Sequence, residues 1–235
     1  MTQNMEKYTK EKYNAFLIYL FSMAFLPIIL SSLLKDNTEP VFQMAFINLL
    51  VYLFIFISFV IILQLYLMKQ LKDFVRKYKK YLMIALVGWV IGLTLNLFIS
   101  LLFDFYNISG ESENQSTLIK ATKYPFLLIP FTVIFAPVVE EIFYRGILFR
   151  SIINLKFPYH LNIIIGFILG STIFGVIHIV SELTLGNPIN YLVIAPYFIM
   201  GFILCYLYYV TNNIIVPIVM HFFQNLTSVI VLLII

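Results

Sequence analysis

The chain is 235 residues long, 62% hydrophobic and only 11% charged, with a formal net charge of +4 and a mean hydropathy of +0.97. That composition excludes a soluble globular domain and reads as an integral membrane protein. The single cysteine, Cys205, excludes a disulfide framework and a thiolate metal site, and basic residues confined to a few loops exclude a nucleic-acid patch.

In chain order, the polar stretch Met1–Tyr13 leads into a first apolar run, Asn14–Leu34. It lacks a small-residue cleavage site and reads as a retained span, not a signal peptide. Further runs long enough to cross a bilayer follow at Gln43–Met68, Tyr81–Phe103, Pro125–Phe149, Leu161–Leu183, Tyr191–Val210 and Ile214–Ile235. They are separated by breakers such as the segment 35–40, Gly186-Asn187-Pro188 and Thr211-Asn212-Asn213. The expected fold is therefore all-α, a polytopic bundle of about seven spans in one integral-membrane domain covering 1–235. Residues 14–103 would be helices without motifs, and 125–235 would enclose a polar cavity.

Lysine and arginine set the expected orientation. Lys69–Lys80 holds six of them against one acid, Asp73; Lys7, Lys10 and Lys12 add to the same side, as do Arg150 and Lys156. The opposite side has only Lys35, Lys120 and Lys123, diluted by Asp36, Glu39, Asp104, Glu111 and Glu113. The N-terminus is expected in the cytoplasm and the C-terminus outside. The triplet Asn107-Ile108-Ser109 has the form of a glycosylation sequon, a pattern too frequent by chance to carry weight.

Polar groups interrupt three of the apolar runs. The fourth carries Glu140, Glu141 and Arg145, the fifth Phe174 and His178, and the seventh His221 and Asn225. An ionisable side chain at bilayer depth costs roughly 2.5–3.5 kcal/mol on insertion scales, so such groups face a protein interior or water. Glu141 and Arg145 lie i,i+4 on one face, acid first, the better orientation for an ion pair. Glu140, about 100° around the helix, points elsewhere. The turns of the chain also put the groups at one depth: residue 159 lies midway between Glu140 and His178, and the path from His178 to His221 returns to nearly the same height. One membrane histidine alone is most simply a helix–helix hydrogen-bond partner; a carboxylate and two imidazoles in one layer are not. Gln64, Asn96 and Glu182 read as packing or interface residues, and His160 as a solvated turn residue.

Glu-Glu-x-x-x-Arg, Phe-x-x-x-His and His-x-x-x-Asn, in that order on successive helices from Pro125 onward, resemble the CPBP family of CAAX prenyl endopeptidases and bacteriocin-processing (Abi) proteins. The resemblance implies a protease, an intramembrane hydrolase whose polar cavity opens to the cytosolic side. It implies Glu140 as the catalytic carboxylate, supported by Glu141, Arg145 and Phe174. It also implies that His178 helps hold the attacking water, with His221 and Asn225 facing the developing oxyanion. The expected partner is a membrane-associated peptide or protein substrate within the bilayer, in peptide, pheromone or bacteriocin maturation or immunity, in a Gram-positive bacterium. Glu140, His178 and His221 also match the donors of a zinc site with one open position, as in a metalloprotease, although His-Glu-x-x-His is absent. The family is described both with and without metal, and the expectation assigns no metal ligand. The alternatives are a non-proteolytic scaffold or immunity partner, and a proton-coupled transporter, against which the single polar layer and the lack of an inverted repeat both speak.

Overall fold

A backbone inside a bilayer must pair every N–H and C=O within the protein, and a helix does so locally. The computed structural model describes residues 2–34, 38–108, 112–180 and 191–234, with the side chains of 2–8, 159 and 191 left out, and it is all-α over these stretches. The helices are α1 (Thr2–Leu33), α2 (Pro40–Ile62), α3 (Gln64–Arg76), α4 (Tyr78–Phe105), α5 (Glu113–Ala121), α6 (Pro125–Ile153), α7 (Leu161–His178), α8 (Ile194–Thr211) and α9 (Ile215–Ile234). Among the described residues, seven helices are long and apolar enough to cross a membrane, all but α3 and α5. The protein is a multi-pass bundle. Lys35, Asp36, Ser109, Glu111, Glu182, residues 181–183 of the fifth expected span, the Gly186-Asn187-Pro188 breaker and Ile235 lie outside the described residues.

The second expected span, Gln43–Met68, is too long. The helix ends at Ile62, Leu63 takes a non-helical conformation (φ −100°, ψ 16°), and Gln64 opens a separate helix. No glycine or proline marks the break, and α3 keeps exposed leucine and methionine, so the apolar run appears continuous in sequence. The protein-facing side of α3 is bound to the turn before α9. Gln70 accepts from the Ile214 N–H at 2.9 Å through its side chain and from Asn213 Nδ2 at 2.8 Å through its carbonyl.

α2 starts with Pro40 in its first turn, where a missing N–H costs nothing, and the Glu39 carboxylate accepts from the Phe42 N–H. The same carboxylate takes the Tyr124 hydroxyl at 2.5 Å, which ties the start of α2 to the start of α6 and holds Glu39 below the usual carboxylate range. α5 is capped by Ser112, whose Oγ accepts from the Gln115 N–H.

α6 is the most buried of the spans and runs through the centre of the bundle. Two stretches of it, Pro130–Phe135 and Ile142–Phe149, are π-helical, with i→i−5 bonds such as Ala136 N–H to Phe131 O and Arg150 N–H to Arg145 O. The next bond in the first series would run from residue 137 to the Thr132 carbonyl, but Pro137 has no N–H. α7 and α8 pack most extensively of all helix pairs, and small residues bring their backbones together: a Cβ on Gly201 would come within 3.0 Å of Ser171 Cα.

Candidate active site

The polar residues of α6, α7 and α9 converge at one depth, as their spacing predicts. In the deepest part, Glu141 and Arg145 have no exposure at all. Arg145 Nη1 donates to Glu141 Oε1 at 2.8 Å, and Nη2 donates to the Gly201 carbonyl at 3.2 Å, which the close α7–α8 approach keeps within reach. The guanidinium lies 4.3 Å from the centre of the Phe174 ring, so Phe174 acts as a cation–π face as well as packing. A buried charge is tolerable only when paired and hydrogen-bonded, and here each member has a partner.

Glu141 has a second bond that the i,i+4 pattern does not reveal. His221 Nδ1 stands 2.8 Å from the same Oε1. A carboxylate only accepts, so Nδ1 carries the proton and Nε2 is turned the other way. His178 is oriented in the same manner: its Nδ1 stands 2.6 Å from the Phe174 carbonyl, which also only accepts. Both Nε2 atoms face Glu140 Oε2, each at 4.0 Å. Glu140 is 7% exposed, and its Oε2 has no hydrogen-bond partner among the described residues.

The other oxygen of Glu140 is held from the N-terminal half. Tyr52 of α2 donates to Oε1 at 3.1 Å. A helix of the motif-free segment 14–103 thus reaches the polar layer. The available signal is depth, because Tyr52 lies mid-span, away from the interfacial belts where tyrosines gather, and a buried hydroxyl needs a partner. Tyr197, in the first turn of α8 and so without that signal, also reaches the site, where its ring stacks on His178 with centroids 4.7 Å apart. Its hydroxyl is paired with Ser112 Oγ at 2.8 Å and takes a bond from Asn114 Nδ2 at 3.3 Å.

Asn225 is the one motif residue tied outside this cluster. Its Nδ2 donates to the Thr132 carbonyl at 2.8 Å, the acceptor that Pro137 leaves without a backbone partner. Of the other polar residues, Asn96 is half-buried in α4 with Oδ1 unpaired, while Gln64 and His160 are exposed. Cys205 is a buried free thiol.

The three candidate metal ligands do not fit a zinc ion as placed. Tetrahedral zinc with bonds of about 2.0–2.1 Å would set nitrogen and oxygen donors about 3.3 Å apart, against 4.0 Å for both histidines here. No cluster of three His, Cys, Asp or Glu suited to a metal occurs among the described residues.

A multi-pass helical bundle with a buried carboxylate facing two imidazoles defines a class of membrane protein with a polar site inside the bilayer. Residues 122–227, which hold all three motifs, match the family model described as type II CAAX prenyl endopeptidase Rce1-like. It is 29% identical over 126 residues to YdiL of Bacillus subtilis (strain 168), whose name assigns it provisionally to the membrane peptidases; that match covers 54% of this chain and 46% of YdiL. It is also 29% identical over 153 residues to the membrane-embedded CAAX protease MroQ of Staphylococcus aureus (strain USA300), covering 64% of this chain and 58% of MroQ. The chain thus aligns with about half the length of these curated relatives. No solved structure matches it.

Proposed function

We propose that the protein is an intramembrane endopeptidase that hydrolyses a peptide bond of a membrane-associated peptide or protein with water activated by Glu140. The observation that carries this reading is the unpartnered Glu140 Oε2 facing two Nε2 atoms at 4.0 Å each. A water bonded to two such atoms at about 2.8–2.9 Å, with about 90° between the bonds, spans that separation. Glu140 takes a proton from the water, and the hydroxide oxygen adds to the scissile carbonyl. The C–N bond then breaks, and the proton held by Glu140 passes to the leaving amine. His178 accepts a hydrogen bond from the water through Nε2. His221, when it carries a second proton, donates through Nε2 to the oxyanion. Asn225 contributes through its amide only with the N–H not given to Thr132. The family match and the two relatives named for peptidase activity support this reading.

The substrate class that follows is a short membrane-associated peptide or a lipid-modified chain end, in peptide maturation or immunity. The test compares bacterial membranes that contain the wild-type chain with membranes that contain Glu140→Gln, in which Tyr52 keeps an acceptor. Mass spectrometry of new peptide N-termini should find a set near membrane segments or leader peptides in the wild type alone. Identical sets would overturn the proposal.

We also place the N-terminus and the Arg150–Lys156 turn on the cytoplasmic side, from the distribution of basic residues. Lys156→Cys in a Cys205→Ala background should react with an impermeant thiol reagent in inside-out vesicles only. Reaction on intact cells would reverse the topology.

A further inference from the structure

α3 divides its circumference into three sectors. At 100° per residue, Tyr66, Leu67, Gln70, Asp73 and Phe74 fall on one side, and these are its half-buried positions. Met68, Leu71 and Val75 form an apolar stripe that none of the described residues covers, each between 48% and 60% exposed, while exposed Leu65 falls among the cations beside it. Lys69, Lys72 and Arg76 occupy the remaining arc, and exposed Lys79 and Lys80 follow where α4 begins. The helix joins the end of one candidate span, at Ile62, to the start of the next, at Tyr78.

Most of the cations on this surface have no acid partner among the described residues. Asp73 is the acid of the segment, and it is occupied by Arg76 at 2.6 Å, Lys77 at 3.0 Å and the Tyr81 hydroxyl at 2.8 Å. Lys69, Lys72, Lys79 and Lys80 form no ion pair among the described residues. An exposed apolar stripe beside a row of lysines without an acid partner, on a helix that joins two spans, matches one occupant, a bilayer whose headgroups are anionic.

We infer that α3 and the first turn of α4 form a binding site for anionic phospholipid. Met68, Leu71 and Val75 enter the acyl region, and Lys69, Lys72, Lys79 and Lys80 hold the phosphodiester headgroups. Bound lipid would fix α3 against the bundle, and α3 in turn fixes the start of α9 through Gln70 and the Ile214 N–H. His221 lies two turns further along α9, so the lipid site and the polar layer share one helix. The inference does not depend on the peptidase reading.

The experiment uses the full-length protein in vesicles of phosphatidylcholine alone or mixed with phosphatidylglycerol, with thermal unfolding followed at low and high salt. Phosphatidylglycerol should raise the wild-type Tm by several degrees at low salt, and less at high salt. The variant K69Q/K72Q/K79Q/K80Q should keep the wild-type Tm in phosphatidylcholine and gain nothing from phosphatidylglycerol. At about fivefold per basic residue, its affinity for phosphatidylglycerol, measured by native mass spectrometry in detergent, should fall at least about a hundredfold. Leu71→Gln with Val75→Gln should weaken the same binding through the apolar stripe. Glycerol phosphate, with the anion but no acyl chain, should not compete. Equal Tm gains in the two lipids, a full gain by the quadruple variant, or complete competition by glycerol phosphate would each overturn the inference.

Discussion

His221 Nδ1 and Glu141 Oε1 stand 2.8 Å apart, on the same oxygen that takes Arg145, so two helices share one buried acceptor. Removing Arg145 leaves Glu141 charged, enclosed and held by an imidazole alone. Arg145→Ala should therefore cost on the order of 3–5 kcal/mol. Adding Glu141→Gln to it should recover part of that loss, because the orphaned charge is gone. Thermal unfolding in detergent checks both, and a wild-type Tm for Arg145→Ala would mean that the pair contributes nothing.

Tyr52→Phe keeps the ring and removes the donor that holds Glu140 Oε1. A hydrogen bond to a charged group is worth about 1.5–3 kcal/mol, so under the peptidase reading kcat should fall about 10- to 100-fold. KM should change little if Tyr52 acts on the carboxylate and not on bound substrate. A rise in KM at constant kcat would assign the hydroxyl to substrate binding instead.

Much of this site is readable in the sequence because it rests on helical spacing. The Glu141–Arg145 pair follows from i,i+4 geometry, and the meeting of Glu140, His178 and His221 follows from equal path lengths through the turns. Tyr52 does not, because contact between α2 and α6 is a matter of helix packing, and no local spacing encodes which face meets which. The His221–Glu141 bond is hidden for a related reason: the acid already has a partner on its own helix, and nothing in the chain announces a second. The boundary at Leu63 is missed because the first residues of α3, Gln64–Met68, are mostly apolar and carry no charge, so they continue the run of α2 without a breaker.

Gly201→Ala tests the close approach of α7 and α8. The added methyl would meet Ser171 Cα at 3.0 Å and its carbonyl oxygen at 3.2 Å, backbone atoms that a rotamer change cannot move. Overpacking of this kind typically costs about 1–3 kcal/mol, and it would also displace the carbonyl that Arg145 holds. The expected result is a lower Tm; an unchanged one would show that the two helices separate freely.

Asp73 gives the protein an acid-sensitive contact outside the spans. Hydrogen bonds from Lys77, Tyr81, Arg76 and Asn213 hold its carboxyl well below the usual carboxylate range, with Lys77 the largest contributor. A group whose folded value is depressed adds stability above its unfolded value, about 3.9, and loses it as pH falls through the folded one. Asp73→Asn should therefore unfold at a lower temperature than wild type near pH 7. The gap should close as both are titrated from about pH 5 downward; a gap independent of pH would show that charge on Asp73 is irrelevant.

Pro137 has a consequence for how the bundle is assembled. Prolines in membrane helices are commonly counted as a cost to the helix that contains them. This one withholds a proton from the Thr132 carbonyl, and the acceptor left over is taken by Asn225 of another helix. One of the bonds that hold α9 to α6 thus exists because an atom is missing from α6. Replacing Pro137 with alanine would supply that atom and let α6 close its own ladder. A helix made more regular in this way would compete with Asn225 for that carbonyl, and leave the bond from His221 to Glu141 as the polar tie between the two helices at the site.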